Sequence, residues 1–137
     1  MEIKEKLLIV GCGKLGQKIG NLLSKKFEII GVKRKKTNTD SHFHIIELDI
    51  FNNEFTKTIN SINPDYVIYA VAADKQTEDS YRDAYVNGLR VTIDAVLPCQ
   101  NTKHFFFISS SRVYGQQTDE IMSEFTKPLP NDFGGRA

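Results

Sequence analysis

Gly11, Gly13 and Gly16 stand in the spacing G-x-G-x-x-G within "GCGKLG", and that spacing suits one kind of chemistry. Between a buried strand and a helix, the first glycine permits a tight turn, the second lets a pyrophosphate approach the backbone, and the third allows helix to pack closely on sheet. Lys14 and Leu15 open the helix, whose first N–H groups and positive dipole end would face the phosphates. Eighteen residues after Gly16 comes Arg34, inside the run "KRKK" at 33–36. An NAD-binding domain usually presents Asp or Glu to a ribose 2′-hydroxyl in this region. A carboxylate would repel a 2′-phosphate, whereas Arg34, with Lys33 beside it, can pair with one. The charge therefore favours NADP(H) over NAD(H). The same run also fits a solvated turn, the usual meaning of a short basic stretch.

Asp49 follows an apolar run, where its side chain could reach an adenine or cap the helix beginning near Asn52. Ala70, Val71 and Ala72 are small enough for a ribose and nicotinamide to lie against, and equally suited to tight helix–sheet packing. Other nucleotide loops fit less well. A P-loop needs Gly-Lys-Ser/Thr, but Gln17 and Lys18 follow Gly16. A methyl-donor site would want an acid at the end of the second strand, and none is there.

The elements that must position these residues alternate. "KLLIV" (6–10) is a continuously apolar strand, and Leu15, Ile19, Leu22 and Leu23 recur on one face of a helix over Lys14 to Lys26. "FEIIGVKR", "HIIELDI" (44–50), "YVIYAVAA" (66–73) and "HFFFISS" (104–110) read as four further strands. Phe55, Ile59 and Ile62 mark a short helix ended by "NPD", and Tyr85, Gly88, Leu89, Thr92, Ala95 and Val96 mark a longer one before Pro98. This is the α/β pattern of a Rossmann-like, doubly wound parallel sheet with helices on both faces. Right-handed crossovers give the strand order 3-2-1-4-5. The expected crevice lies at the carboxyl ends of strands 1 and 4. The tail after Gln116 has no convincing strand.

A length of 137 residues supports one domain, 1–137, rather than a nucleotide domain plus a substrate domain. Forty percent apolar residues, 26% charged residues and a net charge of +1 describe a globular chain without a strong pull toward nucleic acid. The amino terminus lacks an apolar core long enough for a signal peptide or a membrane span. Cys12 and Cys99 form no metal or disulfide pattern, and His42, His44 and His104 lack ligand spacing. The expectation is a cytoplasmic protein with no metal.

With "GCGKLG", "ELDI", "YAVAA", "YVNGLRVTIDAV" and "FFFISSSRVYG" in order, the chain resembles the extended short-chain dehydrogenases, the NAD-dependent epimerase/dehydratase family, in an atypical form with a shortened glycine loop. The most specific piece is "SSSRVYG". The resemblance implies a nicotinamide dinucleotide and a nucleotide-sugar or other hydroxyl/carbonyl substrate, and it admits a homodimer. By the same resemblance Ser110, or its neighbour Ser111, corresponds to the serine that holds the reacting oxygen. Tyr114 matches a structural tyrosine, and Asn87 matches the family's helix asparagine only loosely.

The family's catalytic Tyr and Lys of Y-x-x-x-K fall on Phe133 and Ala137, which can neither give a proton nor lower a neighbour's pKa. The resemblance thus implies an amino-terminal NAD(P)-binding part, lacking the family's later strands and substrate domain and not catalytically complete alone. A second reading keeps the fold and drops the chemistry: a regulatory module that senses NADP(H). A ligand-gating domain of the kind attached to ion channels also carries G-x-G-x-x-G, but "SSSRVYG" speaks against it.

Overall fold

The computed structural model describes residues 3–35, 41–110, 121–130 and 132–136. Lys36, Ser111, Tyr114 and Ala137 lie outside the described residues, as does the side chain of Phe133.

Strand β1 (Lys6–Val10) is buried because its alternating side chains feed two separate cores. Leu8 and Val10 join Val32, Phe55, Ile59, Val67, Tyr69, Ala95 and Val96 on one face of the sheet. Leu7 and Ile9 join Cys12, Ile29 and Ile45 on the other. Around β1 lie β2 (Glu28–Lys33), β3 (His44–Glu47), β4 (Tyr66–Tyr69) and β5 (His104–Phe107), all parallel, in the order β3-β2-β1-β4-β5. Helix α1 (Lys14–Leu23) covers one face, while α2 (Phe55–Ile62) and α4 (Gly88–Val96) cover the other. The sheet is doubly wound in the order that the crossovers require. Neighbouring connections leave β1 in opposite directions, so a crevice opens at its carboxyl end.

Three local expectations need correction. Helix α1 ends at Leu23, and Leu15 and Leu22 do not pack with Ile19 and Leu23: they are 51% and 76% exposed. The buried positions are Gly16 and Gly20, where a Cβ on Gly20 would come within 2.3 Å of the Phe43 ring. The helix approaches the sheet on its glycines, which pushes the flanking leucines outward. The strands are also shorter than their apolar runs. β4 stops at Tyr69, with the Ala70 N–H on the Val10 carbonyl as its last link to β1. β5 stops at Phe107, with the Ile108 N–H on the Tyr69 carbonyl as its last link to β4.

The third correction concerns the long helix. It begins earlier, as α3 (Glu78–Arg82), and reaches α4 through a π turn at Asp83–Asn87. The hydroxyl of Tyr69 meets the backbone inside this turn. The side chain is fully buried, and its O–H donates to the Ala84 carbonyl. A Cβ at position 88 would lie 2.5 Å from that hydroxyl and 2.5 Å from Ile50 Cδ1, so only glycine fits there. Asn87 lies in the same turn and donates to Asp83 Oδ1 at 3.0 Å.

Burial, with Tyr85 nearby adding to it, holds the Tyr69 phenol protonated far above its ordinary range. Removing the hydroxyl leaves the Ala84 carbonyl short of a buried donor. Tyr69→Phe is therefore expected to lower stability by about 1–2 kcal/mol at neutral pH. Because the folded-state pKa is raised, the phenol's contribution is full below the unfolded value near 10 and is lost as pH rises past it. Denaturant melts at pH 8 and pH 10.5 should show the gap between the two proteins narrowing at the higher pH.

Candidate functional site

The carboxyl ends of β1, β2, β3 and β4 open into a cleft of about 780 Å³. Its floor is Gly11 and Gly13. One wall runs from Val32 through Lys33, Arg34 and Lys35, continued by Leu48, Asp49, Ile50 and Phe51 after β3. The opposite wall is Ala70, Val71 and Ala72, then Asp74, Lys75 and Thr77, and finally Asp79, Ser80, Asp83 and Ala84 at the start of the long helix.

The glycine loop is held from below. The N–H groups of Gly11 and Cys12 both donate to the Val32 carbonyl at 3.0 Å, and the Gly13 N–H donates to the Gly11 carbonyl at 2.9 Å. Gly11 has φ +86°, a left-handed conformation that glycine adopts without strain. A Cβ on Gly16 would lie 3.0 Å from Ile9 Cγ2 and 3.2 Å from the Gly11 carbonyl, so this glycine serves close packing. Gly13 differs: a Cβ there would meet nothing within 4 Å. Among the described residues no group requires that space, and Gly13 lines the cleft.

Gly13 is the N-cap of α1 and brings no side-chain cap, so the N–H groups of Lys14 and Leu15 have no partner within their own helix. The side chains of both residues are exposed and do not line the cleft. What these two positions offer the site is backbone. Cys12, between the first two glycines, is core: burial pushes its thiol up to about 11, with the nearby Lys33 charge pulling weakly the other way. A thiol held protonated at neutral pH is a poor nucleophile.

Asp49 lines the cleft just past the end of β3. It organises a turn rather than the helix, with Oδ1 accepting from the Phe51 N–H at 2.9 Å and its carbonyl from the Asn52 N–H at 3.0 Å. Asn52 in turn accepts from Glu54, and α2 begins only at Phe55. Lys33, Arg34, Ala70, Val71 and Ala72 all lie on the cleft walls. Ser110 is half-buried beyond β5 and is not among the lining residues, and Ser109 is exposed.

Local sequence pattern does not mark several lining residues as such: Asp74, Lys75, Thr77, Asp79, Ser80 and Asp83. One signal was available. Thr77 caps α3 by accepting from the Ser80 N–H at 3.2 Å, and Glu78 and Asp79 fill the first turn, which is a recognisable helix start. Asp74 had no such signal. Its Oδ2 lies 2.5 Å from Arg34 Nη2, a contact made only in three dimensions.

The sequence pattern of the NAD dependent epimerase/dehydratase family matches residues 7–132. The chain belongs to this family. Among solved structures, a protein from Methylobacillus flagellatus assigned to the NAD-dependent epimerases/dehydratases is 32% identical, with a TM-score of 0.78 over 96% of this chain and 46% of that one. The fold is shared by the Helicobacter pylori ADP-L-glycero-D-manno-heptose-6-epimerase, at 17% identity and TM-score 0.78 over 97% of this chain and 47% of that one. It is shared too by the Bacillus cereus UDP-glucuronic acid 4-epimerase solved with NAD, at 22% identity and TM-score 0.75 over 96% of this chain and 48% of that one. No curated protein sequence matches the chain significantly. The chain spans about half the length of these solved relatives.

The family match ends one residue before Phe133. There a short helix, α5 (Phe133–Arg136), starts with Asp132 accepting from the Gly135 N–H at 2.8 Å. Among the described residues, no helix is long and apolar enough to cross a membrane.

Proposed function

We propose that this chain is the NAD(P)-binding part of an epimerase/dehydratase-type oxidoreductase that acts on a nucleotide-sugar or another hydroxyl/carbonyl substrate, with NADP(H) favoured. The observation that carries it is the cleft at the carboxyl ends of β1 and β4, floored by a glycine with open space above it and walled by Lys33, Arg34 and Lys35. The residues present fit a dinucleotide. The space above Gly13 and the first N–H groups of α1 suit a pyrophosphate. The basic wall suits a 2′-phosphate, Asp49 an adenine edge, and Ala70 to Ala72 the flat face of a ribose or nicotinamide.

A nicotinamide dinucleotide supplies, when bound, a ring that takes up and returns a hydride. The chain's own contribution is to hold it and exclude water from one face with Ala70 and Val71, while Ser110, to which the family resemblance gives the substrate oxygen, stands beyond β5 outside the cleft lining. Neither Phe133 nor Ala137 can move a proton at the positions where the family carries Tyr and Lys. Turnover by this chain alone is therefore not expected. The same substitutions favour a second reading, a non-catalytic NADP(H)-sensing module. It predicts a protein partner whose association changes with cofactor, and identical association with and without NADPH would dispose of it.

Fluorescence titration tests the first reading directly. NADPH is expected to bind at least tenfold tighter than NADH, about 1.4 kcal/mol. Arg34→Ala should remove that advantage and leave NADH within about twofold. Equal affinities in the unsubstituted chain would refute the NADP(H) preference, and absence of both would refute the site.

A further inference from the structure

The basic run at 33–36 that ends β2 carries no acid, but an acid from elsewhere in the chain reaches it. Arg34 follows the end of β2, and Asp74 lies in the segment after β4. In the sheet these two strands are separated by β1, so their ends stand two interstrand spacings apart, roughly 10 Å. The side chains nevertheless meet, with Asp74 Oδ2 on Arg34 Nη2 at 2.5 Å, and both residues line the cleft. The ion pair thus bridges the cleft past the end of β1, at the place where a dinucleotide domain reads the 2′ position.

A guanidinium engaged by a carboxylate is less available to a phosphate, and the carboxylate itself repels one. A carboxylate also has two oxygens, so one can hold Arg34 while the other accepts from a hydroxyl. We propose that Asp74 is a specificity-determining residue: it stands in for the acid missing from β2, restrains Arg34, and shifts the site's balance from a 2′-phosphate toward a 2′-hydroxyl. This rests on the dinucleotide reading above. Lys33, Lys35 and Lys75 line the same cleft and keep it attractive to a 2′-phosphate. Asp74 acts against that attraction through one contact. The pair is more than half exposed on both sides, at 58% and 54%, so the effect is modest and screened by salt.

The test is a set of NADPH and NADH titrations on the unsubstituted chain, Asp74→Asn, Arg34→Ala and the double variant, with thermal melts to confirm folding. Asp74→Asn is expected to tighten NADPH about fivefold, the upper range for releasing an exposed ion pair, and to leave NADH no tighter. Asp74→Ala should shift the NADPH-to-NADH ratio in the same direction. With Arg34 already replaced by alanine, Asp74→Asn should change NADPH affinity less than twofold. An unmoved ratio in Asp74→Asn overturns the inference, and so does an undiminished gain without Arg34, since Asp74 would then act by repulsion alone. In both cases saturable binding by the unsubstituted chain leaves the dinucleotide reading standing. Failure of that chain to bind either dinucleotide overturns both.

Discussion

Gly13→Val is expected to weaken NADPH binding at least a hundredfold, about 2.7 kcal/mol, while the protein stays folded. The two halves of that expectation come from one observation. Among the described residues, a Cβ at position 13 meets no atom within 4 Å, so the fold has room for the new side chain. The backbone there, at φ −80° and ψ −153°, is one that L-residues adopt. The cost to folding is confined to the poorer N-cap, about 1 kcal/mol or less. The added carbons would, however, stand where a pyrophosphate must approach the backbone. Titration and a denaturant melt on the same sample separate the two effects. A variant that binds normally would show that the space above Gly13 is not the phosphate site, and one that unfolds would show that the space is not open.

The fold was largely legible because its signals are repeated at every level. β1 reads as a strand buried on both sides because Leu8 and Val10 go to one core and Leu7 and Ile9 to the other. Its glycines follow at once, and the crossover rules then leave one strand order. What the sequence obscured are places where a long-range contact overrides local pattern. Leu22 sits at a proper 3.6-residue position, yet it is exposed because Gly16 and Gly20 take the surface of α1 nearest the sheet. The π turn receives a tyrosine hydroxyl from β4, a contact that local pattern does not announce. Arg34 could be placed at the edge of the cleft from its distance past Gly16, but not its partner. The start of β2's following turn shows only basic residues, and the acid comes from the far side of β1. The candidate site was thus legible as a phosphate loop with a basic edge, while the wall contributed by residues 74–84 was not.

Gly11→Ala should have the opposite signature to Gly13→Val, a large loss of stability. Gly11 has φ +86°, and an L-residue in left-handed backbone costs roughly 1–2 kcal/mol. Its Cβ would also lie 2.5 Å from the Val71 nitrogen and 2.7 Å from both the Ala70 carbonyl carbon and Val71 Cα. All three are backbone atoms, which cannot swing aside as a side-chain tip can. Relief requires the end of β4 to separate from the loop, against the Ala70 N–H bond to Val10 and the Gly11 N–H bond to Val32. Overpacking of this kind adds about 1–3 kcal/mol. The expected total is about 3 kcal/mol, or roughly 10 °C in Tm for a domain of this size. Gly16→Ala should be milder, since its closest contacts, Ile9 Cγ2 at 3.0 Å and the Gly11 carbonyl at 3.2 Å, are less severe than the 2.5–2.7 Å approaches at position 11. Thermal melts of the three variants should therefore rank Gly11→Ala lowest, Gly16→Ala next and Gly13→Val nearest the unsubstituted protein. A Gly11→Ala protein within 1 kcal/mol of it would mean that the loop and the end of β4 do not run in contact. The cleft floor would then have a different shape from the one that makes room for a dinucleotide.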